Sequence, residues 1–184
     1  MSRAKVREQY RGLSRAELLD KAHELGYGFT RNAHSCSQSA VAALHTLFEM
    51  DDLAVKLASS LSGGSAGQYL GTCGALAGGI IALDYYFGRP VTQMSAEEAI
   101  PANLEALKPA SKYPKLLADK FINKYGTIIC PQLQRRFFGR TFYNTDPDES
   151  RKNLEAQEQC APNNCYGAVG DVARWVTEIL LDFS

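Results

Sequence analysis

Seven of the fifteen glycines in this chain fall in one eighteen-residue stretch, Ser62–Gly79, SGGSAGQYLGTCGALAGG. Glycine at this density permits positive φ and lets another backbone or a ligand come close. The stretch then runs without a break into apolar residues ending at Phe87. Cys73 stands where the loop becomes a helix. The first turn of a helix offers free N–H groups and the positive end of the dipole, and both favour a thiolate. The same residues also read as a glycine-rich helix contact around a buried cysteine.

The rest of the chain reads as helices. Ser14 and Glu17 form a capping-box pattern, followed by Leu18, Leu19, Ala22 and Leu25 at helical spacing. Gly26 and Gly28 weaken that helix near its end. His34 lies in a turn, and a second helix starts near Cys36 with Ala40, Val41, Leu44, Leu47 and Phe48 on its apolar face. Asp51 or Asp52 caps a third, with Leu53, Leu57, Ala58 and Leu61 expected inward. The helix after Cys73 runs from about Thr72 to Phe87 and stops at Gly88 and Pro90. It is apolar nearly all round, at Ala75, Ile80, Ile81, Ala82 and Leu83, which marks a buried, central helix. Gly74 and Gly78 would let a neighbour approach it.

Residues 89–114 carry four of the seven prolines, so a break is expected there: a Ser95–Glu98 cap and a short helix around Asn103–Leu107. Lys115–Tyr125 then reads as a helix ended by Gly126. Pro131 suits a first helical position and sets Cys130 at an N-cap. Tyr143–Glu149 is turn-rich, Lys152–Gln159 a polar helix, and the last helix starts near Cys165. No strand pattern competes. The expectation is an all-α, compact bundle of about six to eight helices.

At 184 residues the chain has the length of one domain, residues 1–184, with a loose polar arm over residues 1–12. Its zero formal net charge argues against wholesale nucleic-acid binding. The start, MSRAKVREQYRG, has no apolar segment of a secretory signal after it. The longest apolar run, Ala75–Phe87, contains Asp84 and is too short to span a bilayer, so no membrane insertion is expected. A soluble, cytoplasmic protein follows as the expectation. In that compartment five cysteines point to metal ligands or redox thiols rather than structural disulfides.

Four of the five cysteines, Cys36, Cys73, Cys130 and Cys165, fall at or within the first turn of an expected helix. The dipole and free N–H donors lower a thiol pKa there. Converging N-termini would make a pocket for an anion or an anionic metal–thiolate cluster. There is no C-x-x-C, no haem-attachment C-x-x-C-H and no zinc-finger pairing. Cys160 and Cys165, joined by APNN, could serve as a ligand or redox pair.

These cysteines carry a resemblance. The chain resembles the C-GCAxxG-C-C family of redox-active proteins from about Cys36 to the C-terminus. The first cysteine corresponds to Cys36 in SCSQSAV. The defining CGAxxG motif is intact as Cys73-Gly74-Ala75-Leu76-Ala77-Gly78, with Gly63-Gly64 before it. The third is Cys130 in Tyr125–Leu133, YGTIICPQL. The fourth usually opens the terminal helix, which favours Cys165 over Cys160. The resemblance implies redox activity, with an iron–sulfur cluster as the candidate cofactor and no haem, because the haem motifs of the related split-Soret cytochromes are missing. The implied ligands are Cys36, Cys73, Cys130 and Cys165. The glycine-rich loop, with Gly63, Gly64, Gly71 and Gly74, would fold over the site and supply N–H donors to the sulfurs. A homodimer is also implied, and the many tyrosines and phenylalanines agree with one.

Three readings stay open: an electron-transfer protein with an iron–sulfur cluster, a metal-free thiol–disulfide protein or sensor with Cys160 as resolving partner, and a structural helical module whose cysteines fill space. The sequence names no redox partner. His34 could supply a proton or a ligand. Arg135, Arg136 and Arg140, among Phe137, Phe138, Phe142 and Tyr143, could form a docking surface or a solvated face over aromatics.

Overall fold

The computed structural model describes residues 4–97, 100–143 and 146–183. Among these it has eight α-helices: α1 Arg15–Ala33, α2 Cys36–Leu47, α3 Asp52–Leu57, α4 Gly74–Phe87, α5 Ile100–Tyr125, α6 Cys130–Phe138, α7 Pro147–Gln159 and α8 Cys165–Phe183. The fold is all-α, as expected. Its β-type pairing among the described residues is two isolated antiparallel bridges, Val6 with Phe48 and Thr72 with Ile129. No helix of the described residues is long and apolar enough to cross a membrane.

α4 is the central helix. Nine of its fourteen residues are buried, on more than one face. Its glycines set the distances to its neighbours. A Cβ on Gly78 would stand 2.3 Å from the Ser37 carbonyl oxygen of α2. One on Gly79 would stand 2.5 Å from Val172 of α8 and 2.7 Å from Leu117 of α5. The backbone of α2 therefore lies directly on α4, with α5 and α8 on another side. The largest helix–helix contact joins α1 and α8. There Gly26 does not end α1; it admits α8, with a would-be Cβ 3.1 Å from Gly170 Cα. α1 starts at the expected capping box, closed in both directions between Ser14 and Glu17.

Four expectations are corrected. Residues 4–12 are not loose: the Arg7 N–H donates to the Leu47 carbonyl at 2.8 Å and the Glu49 N–H to that of Lys5 at 2.8 Å. Val6 and Tyr10 pack against the core, so two apolar residues in a polar segment suffice to pin it. Leu53 and Leu57 of α3 are exposed; Ala58 faces inward as expected, and Ala54 joins it in place of the two leucines. α5 runs through Pro109 and Pro114 without a break. Pro109 is exposed, and the carbonyl whose helical partner it removes belongs to Glu105, also exposed. α7 starts earlier than expected, because Asp146 caps it through the Asp148 N–H at 2.8 Å, with Pro147 in its first turn. Glu98 of the expected Ser95–Glu98 cap, and residues 144–145 of the expected turn, lie outside the described residues.

Candidate functional site

The helix starts expected at the cysteines are where the structure has them. Cys36, Cys130 and Cys165 are the first residues of α2, α6 and α8, and Cys73 is the N-cap of α4. Each start has a local cause. Ser62, from the glycine-rich loop, accepts from the Ser37 N–H at 3.3 Å and bonds Ser35 at 2.8 Å, closing the end of α2. The segments before α4 and α6 lie antiparallel at the Thr72–Ile129 bridge. Across it the Cys73 N–H donates to Ile128 at 2.7 Å, and the Cys130 N–H to Gly71 at 2.9 Å. Asn164 caps α8 through the Gly167 N–H at 2.8 Å.

These four starts meet around one cavity of about 630 Å³, lined by all four cysteines. All are free thiols. Cys160, the C-cap of α7, does not line it. Gly63 and Gly74 are in the wall. A side chain at Gly74 would be tight, its Cβ standing 3.1 Å from Cys36 Cβ and from backbone atoms of Leu61 and Ser62. Gly64 and Gly71 stand behind the wall and hold Cys130: a Cβ on Gly64 would meet Cys130 Cβ at 3.0 Å, and Gly71 takes the Cys130 N–H. The loop turns over the cavity through five successive positive-φ residues, Gly63, Gly64, Ser65, Ala66 and Gly67, at 60, 69, 71, 49 and 67°. Two of these carry side chains, at a cost of order 1–2 kcal/mol each.

The protonation of the thiols reverses the sequence expectation. Helix N-termini alone would lower their pKa, but all four are raised, and burial is the leading cause in each. Cys73 is pushed up to about 12 by burial and by the neighbouring Cys36, against the N–H groups of Ala75 and Leu76. Those groups lean toward the sulfur without closing a capping bond. Cys36 is likewise raised, opposed by its own N–H and that of Gly63. Cys130 is raised by burial and by Cys73 and Cys36. Cys165 is raised by burial and by Cys36, opposed by the Gln157 side chain. Desolvation of a charge outweighs the donors that face it. Cys36 and Cys165 are half-buried and line the cavity.

The sequence reading missed a set of buried amides. Gln157 accepts the Cys165 N–H at 3.0 Å and donates to Asn153 at 3.2 Å. Asn164 donates to the Gln157 carbonyl at 2.6 Å. Gln134, one helical turn past Cys130, accepts the Phe142 N–H at 2.8 Å. Gln134, Asn153 and Gln157 are all buried in the cavity wall. A faint signal existed in two spacings of four, Cys130 to Gln134 and Asn153 to Gln157, which put each pair on one helix face. His34 also lines the cavity, as the left-handed C-cap of α1. Arg140 lies over the Phe142 ring at 4.7 Å.

Among the described residues no three His, Cys, Asp or Glu side chains are grouped closely enough to hold a single metal ion. The arrangement is four thiols lining one cavity, each at a helix N-terminus. No curated protein and no solved structure matches the chain. A family model, described as putative redox-active protein (C_GCAxxG_C_C), matches residues 34–179, which hold all four cavity cysteines and the Cys73–Gly78 motif. The chain belongs to the C_GCAxxG_C_C family of putative redox-active proteins.

Proposed function

We propose that this protein is a redox protein that holds an iron–sulfur cluster through Cys36, Cys73, Cys130 and Cys165 and exchanges electrons with a partner. The observation that carries the reading is the meeting of these four thiols, spread from residue 36 to residue 165, around one cavity at four helix N-termini. An all-thiol donor set selects soft metal centres, iron–sulfur clusters among them. Four thiols sharing one cavity offer the ligand number of a polynuclear iron–sulfur core. When bound, such a cluster supplies reversible one-electron chemistry.

The chain's own groups would do the rest. The N–H groups of Gly63, Ala75 and Leu76 favour the thiolates of Cys36 and Cys73, and Gln157 favours that of Cys165. Burial limits the water that reaches Cys73 and Cys130. The raised thiol pKa values work against a metal-free thiol–disulfide protein, because little thiolate is present at neutral pH to act as nucleophile. Cys160, the candidate resolving thiol, is also off the cavity wall.

Anaerobic reconstitution followed by iron and sulfide analysis tests the proposal. Serine at any of the four cavity positions is expected to abolish stoichiometric iron and sulfide, and Cys160→Ser to leave both at the wild-type level. Reconstituted protein without iron, or one that loses it through Cys160→Ser alone, would end the reading.

A further inference from the structure

We propose that the cavity, beyond its thiols, is a binding compartment for a small, uncharged molecule with a carbonyl-type oxygen. This deepens the redox reading by naming the class of substrate that reaches the same site.

Three observations carry it. The first is size. About 630 Å³ lies within the range of small-molecule sites, roughly 300–1,000 Å³. The second is charge. Among the described lining residues none is Asp, Glu, Lys or Arg, and the titratable base among them is His34. The four helix N-termini present roughly half a positive charge each, but N–H groups at each are already engaged: Ser37 with Ser62, Ala75 and Leu76 with the Cys73 sulfur, Cys130 with the Gly71 carbonyl and Cys165 with Gln157. An ion not tied to the thiols by coordination would therefore be buried without a counter-charge, at a large cost, whereas a neutral polar molecule would not. The third is an unused donor. Gln134 is 4% exposed and lines the cavity. Its Oε1 is held by the Phe142 N–H, which fixes the orientation of the amide. Its Nε2 makes no hydrogen bond with the described residues, and it is not sealed from solvent. Open to the cavity, this donor can exchange water for an acceptor on an incoming molecule. The matching group is a neutral oxygen acceptor, and the anchored amide would receive it without reorganising.

The test uses reduced, iron-free full-length protein and three probes: pyrrolidinone, a neutral lactam, with acetate and methylammonium as its charged counterparts. Heteronuclear NMR follows the Gln134 side-chain amide. Pyrrolidinone is expected to shift that signal saturably and to give a nuclear Overhauser contact with it, while the two ions do neither. Gln134→Met is expected to weaken pyrrolidinone by about tenfold, the worth of one hydrogen bond. The nuclear Overhauser contact in the wild-type protein decides the matter if that variant does not fold. Absence of the contact, equal binding of acetate, or undiminished affinity in a folded Gln134→Met variant would overturn the proposal. Iron analysis is a separate readout: iron without pyrrolidinone binding ends only this inference, and pyrrolidinone binding without iron ends only the redox reading.

Discussion

Cys73 shows two opposed effects acting on one atom. It is the N-cap of α4, where N–H groups favour its thiolate, yet burial holds its pKa near 12 against an ordinary value of 9.0. A raised folded pKa stabilises the protonated protein below the unfolded pKa, and that contribution is lost as pH rises toward the folded value. For Cys73 the window is from pH 9.0 to about 12. The metal-free, reduced protein should therefore lose stability steeply above about pH 9, by up to about 1.4 kcal/mol per pH unit for this thiol alone. Thermal melts across that range should show the decline, and Cys73→Ala should make it shallower. A flat profile would mean that the thiol is not desolvated. Metal loading runs the other way, releasing protons and tightening as pH rises. The position of Cys73 at a helix start was legible, because capping and glycine signals are local. The direction of its pKa was not, because desolvation comes from segments distant in the chain.

Among the helices, α4 and α5 carry sharp expectations. Gly78→Ala would push a methyl against the Ser37 carbonyl, a backbone atom that cannot swing away. A loss of about 2–3 kcal/mol is expected in urea unfolding, with iron retention falling as well, since Cys36 opens the displaced helix. In α5, Pro109 is exposed inside a continuous helix. Pro109→Ala restores a backbone hydrogen bond and raises helix propensity, partly offset by a freer unfolded chain. A gain of about 1–2 kcal/mol is expected by the same measurement, whereas a segment that is truly broken there would gain nothing. The sequence reading expected a break because proline is a strong local signal. The helix persists because its later half buries Leu117, Phe121 and Tyr125, and that packing is not visible in a window of residues.

Across the whole molecule, the arm at residues 4–12 straps the far end of α2, the helix whose first residue is Cys36. Deleting residues 1–12 is expected to cost about 2–4 kcal/mol in urea unfolding, from the lost burial of Val6 and Tyr10 and two backbone hydrogen bonds. A truncated protein of unchanged stability would return the arm to the loose segment its polar composition suggested. The sequence by itself determined the all-α class, the buried α4 helix and the placing of four cysteines at helix starts. Capping residues, glycines, prolines and apolar period act over a few residues and need no partner from elsewhere in the chain. Only the tertiary structure decided that those starts face one cavity, that Cys165 and not Cys160 lines it, that burial overrides the helix dipoles at the thiols, and that Gln134, Asn153 and Gln157 complete the wall. Each of these depends on which distant surfaces exclude water together, and no local pattern encodes that.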